Sequence, residues 1–184
     1  MKQLSQYINI RKGKTTITAT DETIRKIVKA ALDQLGHNAD LNHIDISEVT
    51  NIGSLFSCLQ PGVVSPSLGP EYIDINPDIS KWNTSNIIRM DRTFQWCKDF
   101  NCDISGWDVS KVVDMDFMFV GCKKFNQDIS GWDVKNVESM VHTFSNCSNF
   151  NQDLSDWDVT KVKYRFSIFE DCPIKKEFKP HFVK

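Results

Sequence analysis

Apolar positions along most of the chain recur with a spacing that belongs to neither a strand nor a helix. In Asn101 to Phe125, NCDISGWDVSKVVDMDFMFVGCKKF, the apolar residues are Ile104, Trp107, Val109, Val112, Met115, Phe119, Cys122 and Phe125. Their steps are three, two, three, three, four, three and three. The phrase returns at Asn126 to Phe150 as NQDISGWDVKNVESMVHTFSNCSNF. It precedes itself at Asn76 to Phe100 as NPDISKWNTSNIIRMDRTFQWCKDF, and Asn151 opens a further copy, NQDLSDWDVTKV. The period is 25 residues with no gaps. A fixed period of this kind marks a stacked repeat architecture, because one unit cannot bury its own apolar face and neighbours must share a core.

Within one copy the pattern predicts two elements. The opening I-x-x-W-x-V has the L-x-x-L-x-L spacing of a leucine-rich repeat, which predicts one short strand per copy in a parallel sheet. Met115, Phe119 and Cys122 stand at i, i+4 and i+7, the spacing of one face of a short helix. The expected fold class is therefore α/β: a short leucine-rich-repeat-like solenoid with one short parallel strand and one short helix per 25-residue coil. The polar columns fit turns. Asn76, Asn101, Asn126 and Asn151 recur, as do Asp78, Asp103, Asp128 and Asp153, and Ser80, Ser105, Ser130 and Ser155. Short side chains of these types satisfy backbone groups in bends.

The flanks read differently. Residues 7–18, YINIRKGKTTIT, predict a short hairpin turning near Gly13. From Asp21 the period becomes helical: Ile24, Ile27, Val28, Ala31, Leu32 and Leu35 form one stripe. Thr20 or Asp21 is the expected N-cap and Gly36 the expected left-handed stop. A helix of this kind suits the open end of a repeat stack, which needs a cover. The first copy is disguised: Asn38-Ala39-Asp40-Leu41 aligns with Asn101-Cys102-Asp103-Ile104, and Ile44 stands where later copies carry Trp. Thirteen residues are inserted before the second copy, within 60–75, in a stretch rich in Pro, Gly and Ser. The fifth copy decays after Val162. The expected organisation is a hairpin and capping helix over 1–36, a five-coil solenoid over 37–172 and a C-terminal cap over 173–184.

The segments MDFMFVGCKKF and MVHTFSNCSNF, followed by NQDISGWDV and NQDLSDWDV, resemble the BspA-like leucine-rich repeat family. More narrowly, they resemble its 25-residue branch, abundant in mycoplasma surface lipoproteins and found in other bacteria and phages. The resemblance covers about Asn38 to Cys172. It implies a solenoid and, in better-known relatives, adhesion or protein binding; it implies no enzymatic activity. The start of the chain carries no lipobox cysteine, and a short helix-bearing leader is more similar to intracellular or phage-encoded members.

Charge and candidate chemistry narrow the function further. Lys and Arg outnumber Asp and Glu seven to three in 1–36 and four to one in 173–184, but are outnumbered eleven to twenty in 37–172. An acidic repeat surface is the wrong sign for nucleic acid, and the cluster Arg11, Lys12 and Lys14 reads as a solvated hairpin tip. No apolar run reaches membrane-spanning length, and the start lacks a signal-peptide core, so no membrane insertion and a cytoplasmic location are expected. A surface location is what the family resemblance implies. Four of the six cysteines, Cys97, Cys122, Cys147 and Cys172, form one column and read as free buried thiols.

The aspartate columns raise calcium binding, but Asn83 interrupts Asp108, Asp133 and Asp158, and turn-stapling accounts for them. His37, His43, His142 and His181 are scattered and offer no nucleophile–base arrangement. The Trp column, Trp82, Trp107, Trp132 and Trp157, reads as packing before it reads as a ligand platform. No catalytic, cofactor-binding or metal residue is assigned, no cofactor is expected, and the binding surface stays open. The sequence points to a monomeric, non-enzymatic protein-interaction module; a calcium-dependent or self-associating structural or adhesion protein is the alternative.

Overall fold

The structure, a computed structural model, describes residues 9–11, 14–58 and 74–182. At the N-terminus, β1 (Asn9–Arg11) pairs antiparallel with β2 (Lys14–Thr20), Arg11 opposite Lys14. β2 then runs parallel to β3 (Ile44–Glu48), with Ile17 opposite Ile44 and an irregularity between Thr18 and Thr20. The sheet order is β1-β2-β3. The insertion expected within 60–75 falls almost wholly in 59–73, outside the described residues.

Between β2 and β3 lies α1 (Ile24–Leu35). Its stripe buries Ile24, Ile27, Val28, Ala31 and Leu32, while Leu35, assigned to the same stripe from sequence, is 51% exposed. The expected caps also differ. The N-cap is Thr23, with no side-chain cap bond. Asp21 is drawn off elsewhere: its carboxylate accepts from the Thr50 N–H and hydroxyl and from the Asn51 N–H, tying the helix start to the first copy. Gly36 has positive φ (94°), which favours glycine, but with ψ at 167° it is not the left-handed helical stop expected; its N–H closes on Leu32 O. Arg25 donates to Gly53 O, a second tie to the same copy. Leu32→Ala is therefore expected to cost about 2–5 kcal/mol, and Lys26→Ala, off the stripe, within about 0.5 kcal/mol. Hydrogen exchange of the Leu32 variant should show protection lost first over 38–56, with 126–150 little changed; equal loss throughout would contradict the capping role.

Beyond α1 the copies lie in parallel register. Isolated bridges join Asn51 to Arg89, Arg89 to Asp114, Asp114 to Ser139, and Ser139 to Tyr164; Asp40 likewise joins Asp78. The last three steps in the 51–164 series span one period, and the first spans a period plus the thirteen inserted residues.

The predicted elements within each copy are corrected here. Among the described residues 74–172 there is neither an α-helix nor an extended strand. The I-x-x-W-x-V segment turns on itself, with the Trp107 N–H on Ile104 O and the Val112 N–H on Val109 O. The M-x-x-x-F-x-x-C segment is a run of tight turns in which N–H groups alternate. Met118, Val120 and Cys122 donate to the carbonyl three residues back, while Met115, Phe117, Phe119 and Gly121 donate across to Ser139, Val141, Thr143 and Ser145. This winding needs positive φ at two positions per copy, Phe117 (57°) and Gly121 (73°), and the neighbouring copies repeat it at Arg92, Trp96, His142 and Asn146. A helix would send all these N–H groups along its own axis. Here half of them bind one copy to the next.

The core is one continuous cluster from Ile17 to Ile174. Phe56, Phe94, Phe119, Phe144 and Phe169 stack with ring centroids 5.4–5.6 Å apart. A second file, Phe100, Phe125 and Phe150, runs beside it. The chain closes with a 3-10 turn, Lys176–Phe178, and the Leu154 N–H reaches Phe178 O.

Candidate interaction surface

Each copy divides into a half that hardly changes and a half that does. In the near-constant half, side chains are spent on neighbouring copies. The indole N–H of Trp82, Trp107, Trp132 and Trp157 donates to Leu41 O, Ile79 O, Ile104 O and Ile129 O of the preceding copy at 3.0–3.2 Å. These tryptophans are buried, so the column is packing and not a ligand platform. The asparagines form a chain of their own: Asn76, Asn101 and Asn126 each accept, on the side-chain oxygen, the N–H of the asparagine one period on.

The aspartates staple turns. The hydroxyls of Ser105, Ser110 and Ser130, and then their N–H groups, hold the carboxyls of Asp103, Asp108 and Asp128 below the usual carboxylate range. Among the described residues no group of three or more His, Cys, Asp or Glu side chains is placed to hold a metal ion. All six cysteines are free thiols, with Cys97, Cys122 and Cys147 buried and Cys172 half-buried. Of the basic cluster, Arg11 and Lys14 sit on the hairpin strands and Lys12 lies outside the described residues. Of the histidines, His142 is half-buried, its Nδ1 3.0 Å from Ser145 Oγ.

The other half of each copy carries columns that vary from copy to copy. Down one flank, starting from the second copy, they read Ile88, Val113, Glu138, Lys163; then Arg89, Asp114, Ser139, Tyr164; then Asp91, Asp116, Val141, Phe166. Arg92, Phe117 and His142 form a file: the guanidinium lies 4.8 Å over the Phe117 ring, which stacks on His142 at 5.3 Å, and His142 meets Phe166 edge-on at 5.5 Å. Trp96 lies over Gly121, where a Cβ would overlap the indole. Arg89 spans Asp91 at 3.0 Å and Asp114 at 2.8 Å. Burial pushes the Asp114 carboxyl up, and the Asp116 N–H opposes that rise. Of the five large hydrophobic side chains left exposed among the described residues, Ile88, Val113, Tyr164 and Phe166 belong to this flank; the fifth is Leu35. Comparing the copies column by column is the sequence signal that locates this flank.

These features define a tandem-repeat protein whose copies are joined by in-register hydrogen bonds and stacked rings. Residues 69–180 match the family described as "Mycoplasma protein of unknown function, DUF285", and the chain belongs to that family. No curated protein and no solved structure matches the chain. No helix among the described residues is long and apolar enough to cross a membrane.

Proposed function

We propose that the chain is a non-enzymatic protein-interaction module, a leucine-rich-repeat-like solenoid of 25-residue coils that meets a protein partner on its variable flank. The observation carrying this reading is the contrast between halves of each copy. Positions that hold neighbours together repeat, while the flank bearing Ile88, Arg92, Trp96, Val113 and Phe117 differs in every copy and keeps apolar side chains in water. A column under no demand would vary among polar side chains, whereas this flank keeps Ile88 and Val113 exposed. Exposed apolar patches mark interaction sites, and aromatic and Arg side chains are enriched in interface cores. The resemblance to BspA-like repeats supports the same reading.

The test pairs cross-linked capture of a partner with three surface variants. Ile88→Ser, Val113→Ser and Arg92→Ala should each weaken binding of the captured protein at least tenfold while leaving the melting temperature unchanged. Lys135→Ala, on the constant half, should bind as wild type. Equal binding by all four would remove the flank from the reading. Melting with EDTA, calcium or zinc should be superimposable, since an ion that binds only the folded state would raise its stability; a large shift would favour the metal-dependent alternative. A concentration-dependent mass in light scattering would favour self-association.

A further inference from the structure

The alternating N–H groups described above give the stack a direction. In each of four interfaces, four N–H groups spaced two residues apart point to the following copy and find carbonyls there. Ile52, Ser54, Phe56 and Cys58 reach Arg89, Asp91, Thr93 and Gln95; the last interface joins Met140, His142, Phe144 and Asn146 to Tyr164, Phe166, Ile168 and Glu170. In the fifth copy the same row comes round again at residues 165, 167, 169 and 171. Among the described residues the N–H groups of Ser167, Phe169 and Asp171 meet no acceptor. A groove of about 460 Å³ runs along this edge, between Ser167, Phe169 and Glu170 on one side and Lys179, Pro180 and Phe182 of the C-terminal tail on the other. Beside it stand Tyr164 and Phe166, 64% and 70% exposed.

We propose that this edge takes an extended segment of a partner protein as a sixth rung, with carbonyls at alternate residues on Ser167, Phe169 and Asp171 and apolar side chains against Tyr164 and Phe166. The occupant follows from hydrogen-bond polarity. A second copy meeting this edge with its own fifth copy would set donors against donors. A second copy stacking head to tail would need the carbonyl row of its first copy, where Arg25 already donates to Gly53 O and the Asp21 carboxylate, bound to the Thr50 and Asn51 N–H groups, stands beside the row. What remains is a free strand offering carbonyls, the arrangement by which extended peptides add to an open edge. The interface would continue one the chain already makes four times.

The test uses a synthetic nonapeptide with the sequence of residues 138–146, ESMVHTFSN, which within the chain supplies the carbonyl row to Met115, Phe117, Phe119 and Gly121. In the free protein those four amides should exchange slowly and Ser167, Phe169 and Asp171 fast. Saturating peptide should slow the latter three at least tenfold and leave 115–121 unchanged. Tyr164→Ser with Phe166→Ser should keep the melting temperature and lose the protection, and a peptide with Met, Val and Phe replaced by Ser should bind far more weakly. Three results would each overturn the proposal: slow exchange at the three amides without peptide, no protection at millimolar peptide, or equal protection by the serine peptide. The edge adjoins the variable flank at Tyr164 and Phe166, but the flank variants at Ile88, Arg92 and Val113 lie in the second and third copies and leave it intact. Failure here and failure of the flank reading are therefore told apart.

Discussion

Phe119→Ala is expected to destabilise the protein by about 3–5 kcal/mol, the range for removing a large buried aromatic side chain. Phe119 is fully buried, with Phe94 at 5.6 Å on one side, Phe144 at 5.4 Å on the other and Phe125 at 4.2 Å beside it. Its neighbours are held by their own copies and cannot collapse into the space. Its backbone N–H and C=O are also fixed, by Thr143 O and by the Cys122 N–H and Cys147 thiol. A cavity is thus the expected outcome. The stability of a stacked repeat is a sum of unit and neighbour terms, so the loss falls on the two interfaces Phe119 shares. Urea denaturation should show a lower midpoint together with a shallower slope, as the two ends of the stack begin to unfold separately. A cost under about 1 kcal/mol would mean that the ring file contributes little to holding the copies together.

Alkali should act as strongly. Cys97, Cys122 and Cys147 donate their thiol protons to Phe56 O, Phe94 O and Phe119 O at 2.9, 3.0 and 2.9 Å. Burial pushes all three thiols well above their ordinary range, with the Cys58 thiol adding to the effect at Cys97. In the unfolded chain each would release its proton near the usual value of about 8.5. The folded state thus holds protons that the unfolded state has lost, and stability falls as pH rises. The contribution is fully present below about pH 8.5 and is lost above it at up to about 1.4 kcal/mol per pH unit for each thiol. Three thiols together predict a loss of about 4 kcal/mol between about pH 7 and pH 9.5 by the same relation. Urea midpoints measured at pH 7 and pH 9.5 check it, and Cys122→Ser should flatten the dependence by about a third. Native protein should react with a thiol reagent first at half-buried Cys102 and Cys172. A midpoint unchanged at pH 9.5 would show that these thiols ionise in place.

The repeat was legible because the second, third and fourth copies bury the same columns: Ile104, Trp107, Met115 and Phe119 recur there, all of them buried in the structure. The stripe of α1 was legible for the same reason, up to Leu35, which lies at the helix end and outside the contact. The helix expected at Met115, Phe119 and Cys122 was not to be had from spacing. The separation i, i+4, i+7 is equally met by a run of turns that brings each of these residues inward. The turns depend on left-handed backbone at Arg92, Trp96 and Phe117, residues outside the Gly, Asn, Asp and His set by which such positions are ordinarily read. Asp21 looked like a cap because its position suits one; the N–H groups of Thr50 and Asn51, distant in sequence, claimed it instead. The variable flank was open to inspection in the aligned copies, but only burial separates a column that varies freely from one that varies on a working surface.

The register of the bridges also bears on how the chain reaches this state. From Arg89 onward each bridge closes a loop of 25 residues, whereas the bridge from Asn51 to Arg89 closes one of 38. Loop closure grows only with the logarithm of length, so the longer span costs about 0.4 kcal/mol more. The thirteen extra residues are nearly neutral at equilibrium. Kinetically they set an order. Pairing is expected to nucleate among the evenly spaced copies between 89 and 164 and to travel outward one loop at a time, with Asn51 and α1 joining last. Pulse-labelled exchange during refolding would then find the amides of Phe94, Phe119 and Phe144 protected before that of Ile52.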